Sequence, residues 1–490
     1  MAERFDDIIS FRKKKLEQLK SLGIDPYPSA TARDTEIATA LAQFEEFSAA
    51  AKQITIVGRI RSMRVQGKVG FMDIEDPSGR MQIFFKADNL GDTYDQLDLY
   101  DLGDFIEVTG VLFRTKTEAM TLEVKMFRML SKSLRPLPSE FYGLENQELR
   151  LRKRYMDMLM NPEIREMFRK KSLFWASIQK YLVESGFLQV EAPVLEPIPG
   201  GAEAEPFVTH HNALDRDFYL RISLELPLKK MIVGGFEKVF EIGRVFRNEG
   251  IDTEHLQDYT AMEFYWAYAD FETMILFVQR MYQFVIEKTF GTLKIQYQGT
   301  EIDWSGNWPM LDYFELFKKY VDIDLNTATE DDLRTFAKAN GIRFEEFAGK
   351  GRLIDLIFKK KIRTLPEVSM QPAFLVNQPV EIEPLAKRVP GSDHAVQRMQ
   401  ILACGSELGK GFGELNDPID QRGRFEDQMK LREKGDAEAQ MIDEDYLEAM
   451  EYGMPPLAGF GMAERLFAVL MDKSIRETVV FPPMKSEEGH

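Results

Sequence analysis

At 490 residues the chain is longer than one hydrophobic core usually organises, so two or more domains are expected. Its 44% hydrophobic and 29% charged residues suit a soluble globular protein and exclude disordered and fibrous classes. A formal charge of −17 argues against non-specific coating of nucleic acid, although local charge, near balance over residues 1–150, decides contacts with phosphate.

No run approaches the ~20 apolar residues of a membrane span. The start, MAERFDDIISFRKKKLEQ, mixes acids with bases around no apolar core, unlike a secretory signal. A single cysteine, Cys404, excludes an internal disulfide and a Cys-based zinc site. A cytoplasmic protein that does not enter a membrane is the expectation.

In chain order, residues 3–22 read as an amphipathic helix with Phe5, Ile8, Ile9, Leu16 and Leu19 on one side, ended by Gly23 and Pro26. Its run RKKKLEQLK reads either as a solvated face or as an RNA contact. From Ile54 to about Leu130 five short β runs follow: ITIVGRIRSMRV, GKVGFMDIED, GRMQIFFKA, DFIEVTGVLFRT and AMTLEVKMFRML. Turn signals at Gly67, Asp76-Pro77-Ser78-Gly79 and Thr115-Lys116 separate them, and residues 92–101 suggest a short helix between the third and fourth. That order suits an OB-fold, whose open face takes single-stranded nucleic acid. Periodicity alone leaves a generic small β-barrel equally open.

The stretch SKSLRPLPSEFYGLENQE reads as a linker, followed by a helix over 163–184 and an extended segment GFLQVEAPVLEP. Strands and helices then alternate irregularly, which argues against a doubly wound parallel sheet. The expected division is a helical segment over 1–53, a barrel over 54–135, a linker over 136–160 and a larger α+β domain over 161–490.

Three constellations carry chemistry. In FEIGRVFRNEG (240–250), Arg247 and Glu249 are two apart, so on a strand they share a face. A guanidinium forks onto phosphate or carboxylate as lysine cannot, although a surface Arg–Glu pair is the plain alternative. In GSELGKGFGELNDPIDQ (405–421), Glu407 and Glu414 stand seven apart across glycines. Brought together they would need a cation such as Mg²⁺ between them, and two unrelated surface acids are the alternative. In PPLAGFGMAERLFAVLM (455–471), Gly459 and Gly461 lead to Arg465 at a helix start, where it could stack on a base or neutralise phosphate. A glycine turn before a core helix would look the same.

Taken in order, these blocks resemble the class II aminoacyl-tRNA synthetases. The stretches IPGGA, PFVTHHNALD, GGFEKVFEIGRVFRNEGI, EFYWAYAD, PVEIEPLAK, ELNDPIDQ and DEDYLEAMEYGMPP look like the bacterial-type lysyl-tRNA synthetases in particular. The resemblance implies an OB-fold anticodon-binding barrel followed by an antiparallel-sheet catalytic domain flanked by helices. It also implies a homodimer built through the unit containing Pro193, with ATP, L-lysine and tRNA(Lys) as partners and Mg²⁺ as cofactor.

Carried over residue by residue, Arg247 and Arg465 become the catalytic cations. ATP would be held by Arg247, Glu249, His255, Tyr259, Glu407 and Arg465, with Tyr259 under the adenine. Lysine would be held by Gly201, Glu225, Arg247, Glu263, Tyr265 and Asn416, with Glu263 and Tyr265 taking the ε-ammonium. Glu407 and Glu414 would ligate Mg²⁺, and Arg59, Phe71 and Gln82 would contact the anticodon. For Glu225 a first-turn helix acid is the alternative role, and for Phe71 a core residue.

The chain departs from the family pattern at three places. The glycine motif before Arg465 is one residue shorter and lacks a third glycine. The stretch His255-Leu256-Gln257-Asp258-Tyr259 replaces His-Asn-Pro-Glu-Phe. Met126 stands where the last barrel strand often carries an acid. The competing readings are an aspartyl or asparaginyl enzyme of the same fold, a barrel-less relative that lysylates protein, and a silent relative that only binds RNA or ATP. Neither a GxxxxGK[ST] loop nor a GxGxxG fingerprint is present.

Overall fold

The structure is a computed structural model that describes residues 2–137, 146–250, 256–346, 348–433, 435 and 439–485, with side chains from residue 6 onward. His255, the Phe5 side chain and the linker residues 138–145 lie outside the described set. The chain forms two compact units, Met1–Glu145 and Asn146–His490.

In the first unit, strands β1 (Gln53–Gln66), β2 (Val69–Asp76), β3 (Gly79–Lys86), β4 (Phe105–Arg114) and β5 (Met120–Ser131) close a barrel in the order β1-β2-β3-β5-β4. Alternation explains it: Ile56, Ile60, Met72, Ile74, Met81, Ile83, Val108 and Leu122 point inward and are buried, while polar neighbours face out. The parallel pairing of β3 with β5 closes an OB-fold rather than a simple meander. The expected short helix before β4 is a 3₁₀ stretch, Gly91–Leu99, that buries Tyr94 and Leu97 against the barrel core.

The first helix spans Ala2–Ser21. Two residues of its basic run are structural. Arg12 is buried and donates to the carbonyls of Leu102, Ser133 and Arg135, each at 3.1 Å, and Lys15 pairs with Asp101 at 2.9 Å.

The second unit carries β6 (Leu188–Gln189), β7 (Leu195–Glu196), β8 (Val208–His211), β9 (Arg216–Leu220), β10 (Lys238–Phe246) and β11 (Asp258–Ala267). It continues with β12 (Lys294–Tyr297), β13 (Thr300–Asp303), β14 (Met310–Asp312), β15 (Ala373–Pro379), β16 (Ala395–Ala403), β17 (Ser406–Gly413) and β18 (Leu457–Ala463). Eight of them form one sheet, β14-β15-β16-β17-β18-β11-β10-β6, antiparallel throughout its centre and parallel only at the two edge pairings.

One face of this sheet packs on two long helices. Pro162–Glu184 starts on a proline, the residue whose missing N–H costs nothing there, and brings Met167, Phe174 and Ile178 to the core. Phe271–Phe290 brings Met274, Val278 and Tyr282 against Phe264, Phe460 and Met462. The other face is covered in part by the helices Glu225–Val233, Pro418–Glu433 and Glu444–Glu451, whose Leu228, Phe425 and Tyr446 meet Val239, Tyr265 and Leu457. What they leave uncovered is a cleft. No helix among the described residues is long and apolar enough to cross a membrane.

Candidate active site

The cleft exists because β11 and β18 alternate. Met262 and Phe264 are wholly buried against the long helices, so Tyr259, Ala261, Glu263 and Tyr265 face the other way and line a cavity of about 340 Å³. Beside them β18 contributes Gly459 and Gly461 as floor. A Cβ on Gly459 would lie 2.3 Å from Glu414 Oε1 and 2.4 Å from Tyr265 Cε1, so any larger residue would fill the slot. Register carries the slot sideways: Gly459 pairs with Tyr265 on one side and Phe412 on the other, giving an aromatic wall at each edge of a bare strip.

At one end Glu263 is fixed by three donors. Its Oε1 accepts from Ser223 Oγ at 3.2 Å and from the Leu224 amide at 3.1 Å, and its Oε2 accepts from the Tyr265 hydroxyl at 3.1 Å. Burial, with the acids Glu225, Glu263 and Glu414 around it, keeps the Tyr265 hydroxyl well above its usual pKa and hence a donor.

Glu225 also lines the cleft, at the first turn of its helix, but its carboxylate already has a partner. Lys229, one turn on and fully buried, donates to Glu225 Oε1 at 2.6 Å and lies 2.5 Å from Glu414 Oε2. Burial raises both acids, Glu414 to about 8. Burial works against the Lys229 charge, yet the two carboxylates outweigh it and keep the ammonium protonated.

Arg247 lies one residue past the end of β10, where its amide donates to Gln257 O at 2.9 Å and the Glu249 amide turns back to Arg247 O at 2.8 Å. The strand therefore stops before the Arg–Glu pair, and a tight turn rather than a shared strand face brings both into the cleft lining. Arg247 Nε donates to Ile222 O at 3.2 Å, and its guanidinium carbon stands 5.7 Å from the Tyr259 ring.

Arg465 opens the helix Arg465–Leu470 and lines the same cleft. Its neighbour Glu464 is buried and accepts from Lys171 Nζ at 2.6 Å and the Thr260 amide at 2.9 Å, which pins this short turn to β11 and the long helix.

The expected acid pair does not form. Glu407 is the second residue of β17 and Glu414 follows its end, about 23 Å apart at ~3.3 Å per extended residue. Glu414 has no exposed side-chain surface, faces Lys229, and is not part of the cleft wall, so the two cannot share one cation. Glu407 does line the cleft. It accepts from Arg363 Nη1 at 3.0 Å and from Gln400 Nε2 at 2.9 Å across the β16–β17 turn. Burial would raise its pKa, but Lys359, Arg363 and Arg398 hold it below the ordinary value. No group of three or more potential metal ligands occurs among the described residues. One carboxylate nevertheless fits a Mg²⁺ held mainly by nucleotide phosphates and water.

Gly201 lines the cleft beside Ser223 and Glu225. Asn416 does not line it: its amide donates to Met454 O at 3.1 Å and accepts from Lys387 at 2.6 Å. Sequence reasoning missed Gln400, Lys229 and Arg363. Of these Lys229 was legible, since it stands four residues from Glu225 on one helix face.

On the barrel, Phe71 and Gln82 sit on the outer face of β2 and β3, so Phe71 is not a core residue. Its ring lies 4.8 Å from Phe84, and Phe84 lies 5.8 Å from Phe113. Gln82 Oε1 accepts from Thr121 at 3.0 Å. Arg59 is further along: it stands opposite Glu75 in the β1–β2 register, lies 4.3 Å over Phe105 and donates to Gly103 O at 3.4 Å. The residue opposite Phe71 on β1 is the exposed Arg64. Met126 is exposed on β5.

Comparison with known proteins agrees with this geometry. Residues 146–485 match the family described as tRNA synthetases class II (D, K and N), and residues 54–130 match the OB-fold nucleic acid binding domain. Among curated relatives, a protein of Thermoanaerobacter sp. (strain X514) named "Lysine--tRNA ligase" is 43% identical over 99% of this chain and 97% of its own length. Proteins of the same name from Moorella thermoacetica and Staphylococcus epidermidis are 42% and 40% identical over 99% of this chain, covering 99% and 100% of theirs.

Proposed function

Since the chain belongs to the class II tRNA synthetases of the D, K and N group, we propose that it is a lysine–tRNA ligase. In the reaction it would catalyse, a carboxylate oxygen of lysine attacks the α-phosphorus of ATP in line. The bond to the bridging oxygen breaks, and pyrophosphate leaves with the electron pair. The lysyl group then passes to the terminal adenosine of tRNA(Lys).

The observation that carries this reading is the glycine-floored slot, walled by Phe412 and Tyr265 and ended by the triply held Glu263. An aliphatic stem fits between the rings, and an ammonium fits the carboxylate. An aspartate side chain would meet an acid there, and leaving it unpaired is costly, which supports discrimination.

Arg247 and Arg465, both in the cleft wall, would take the charge that develops on the phosphate chain. Tyr259 would lie under the adenine and Glu249 beside the nucleotide, with His255 reaching the outer phosphates. Gly201 and Glu225 would take the α-amino group. Mg²⁺, with Glu407 as its one carboxylate from the chain, would supply neutralisation to the departing pyrophosphate. On the barrel, Phe71 would stack on an anticodon base while Gln82 reads an edge.

Exposed aliphatic side chains lie on the long helix (Leu173, Val183), on the edge strand β6 (Leu188) and on the separate β7-β9-β8 sheet (Leu195, Val208), which supports a homodimer through the unit that contains Pro193. A cytoplasmic location goes with tRNA as partner. The test is ATP–pyrophosphate exchange across the amino acids. Lysine should stimulate it, and aspartate and asparagine should not; equal stimulation by all three would remove the assignment.

A further inference from the structure

Glu407 carries a cation that belongs to the chain itself. The helix Lys350–Lys361 buries Leu353, Ile354, Ile357 and Phe358 and ends just before Arg363. Two hydrogen bonds fasten that end to the β16–β17 turn: Ser369 Oγ donates to the Arg363 carbonyl at 2.6 Å, and the Gly405 amide donates to Ser369 O at 2.9 Å. The Arg363 guanidinium is thereby set beside the start of β17, and its Nη1 donates to Glu407 Oε1 at 3.0 Å.

The second carboxylate oxygen is also served. Gln378 Nε2 donates to Gln400 Oε1 at 3.0 Å, which turns the Gln400 amide nitrogen toward Glu407 Oε2 at 2.9 Å. Lys359, paired with Asp355 at 2.8 Å, stands in the same cleft wall. A dication approaching Glu407 therefore meets one guanidinium in contact with the carboxylate and an ammonium beside it. The Arg363 contact is nonetheless of a displaceable kind. It is one N–H on one oxygen rather than a two-bond fork, and among the described residues it is the only hydrogen bond that guanidinium makes. Neither side chain is sealed: Arg363 is 22% exposed and Glu407 21%.

We propose that Arg363 is a resident counter-cation on Glu407 that keeps free divalent cations off the site, so that Mg²⁺ enters only with the nucleotide. This rests on the reading of Glu407 as the chain's metal carboxylate and adds an order of binding to it. A single carboxylate that already answers a guanidinium offers a free dication little, because the like charges repel at contact distance. A triphosphate brings further oxygen ligands and several negative charges, which reverses that balance.

The probe is Mn²⁺, followed by loss of its free-ion EPR signal in the full-length protein, with and without a non-hydrolysable ATP analogue. The quantity read is the binding that Glu407→Gln removes, introduced alone or with each Arg363 variant, so ions scattered over an acidic surface do not count. At Mn²⁺ concentrations that saturate the analogue-loaded protein, wild type without nucleotide should show no such binding. Arg363→Met should gain it, with an apparent Kd at least roughly 10-fold below the limit set by wild type, as expected for removing a like charge in contact. Arg363→Lys keeps the charge and should behave as wild type, and melting curves should show all variants folded. Glu407-dependent binding by wild type without nucleotide, or none by Arg363→Met, overturns the role of Arg363 while leaving Glu407 as the metal carboxylate. Absence of Glu407-dependent binding even with the analogue overturns both.

Discussion

Glu414 Oε2 lies 2.5 Å from the ammonium of Lys229, and neither side chain has any exposed surface. Lys229 also serves Glu225 at 2.6 Å, so one cation supports two buried acids beneath the substrate slot. Removing it breaks the buried Glu225–Lys229 pair and takes from Glu414 its buried polar neighbour, and breaking a buried pair costs about 3–5 kcal/mol. Lys229→Met should therefore destabilise the catalytic unit by that amount in urea denaturation. Glu414→Gln preserves shape and the Glu225–Lys229 pair, and should cost less than about 1.5 kcal/mol. Equal losses in the two variants would contradict this division of labour.

The same cluster predicts a pH dependence. Glu414 titrates at about 8 when folded, against an ordinary value of 4.5, chiefly because burial disfavours its charge. Between those values the folded protein holds a proton that the unfolded chain releases, so stability falls as pH rises through this window and levels off above about 8. Glutamine cannot titrate. The stability advantage of wild type over Glu414→Gln should therefore be greatest near pH 5 and shrink toward pH 8, read from denaturation at each pH. A constant difference would show that Glu414 is ionised throughout.

Glu263 offers a test of substrate choice. Its three donors hold it rigidly at the slot end, so Glu263→Gln keeps the geometry and loses only the charge. The lysine KM in pyrophosphate exchange should rise roughly 10- to 100-fold with the ATP KM little changed. Similar rises in both constants would assign Glu263 to the whole cleft instead.

The parts of this molecule that were legible in its sequence are those set by local period and residue type. Alternation in residues 54–130 is the barrel, the apolar spacing of 163–184 is the long helix, and Arg247, Glu263 and Arg465 share a cleft as their motifs imply. What failed depended on distance through space. Glu407 and Glu414 look adjacent in a glycine-rich stretch, but that stretch is a strand, and seven extended residues carry them to opposite ends. Gln400 stands only seven residues before Glu407, yet a hairpin has to bring the two together, and hairpin register cannot be read from one strand alone. Asn416 lies just beyond the same strand, where Lys387 and Met454 engage it.

The two floor glycines should differ in tolerance. At Gly459 an added Cβ would come within 2.3–2.4 Å of Glu414 and the Tyr265 ring, both fixed in a packed layer, so Gly459→Ala must move one of them. At Gly461 the nearest atom is Glu263 Cγ at 3.1 Å, which has only a few tenths of an ångström to yield. Gly459→Ala should lose both lysine binding and stability, by about 1–3 kcal/mol in the latter as for other overpacked sites. Gly461→Ala should lose affinity for lysine with nearly wild-type melting. Identical behaviour of the two variants would mean that the slot floor is not built from these positions.

The barrel separates RNA contact from structure in a similar way. Phe71 stands on the outer face with Arg64 directly across the ladder, whereas Arg59 is stacked on Phe105 and bonded to the Gly103 carbonyl, with burial lowering its pKa. Phe71→Ala should weaken tRNA binding by about 1–3 kcal/mol, the range for one lost stacking platform, and Arg64→Ala should reduce the salt dependence of binding. Arg59→Ala should act mainly on the melting of the barrel, because its guanidinium is spent on the protein's own ring and carbonyl. Filter binding of tRNA at two salt concentrations, alongside thermal melting, separates these outcomes. A variant at Arg59 that melts as wild type but loses tRNA affinity would return that residue to the RNA-binding face.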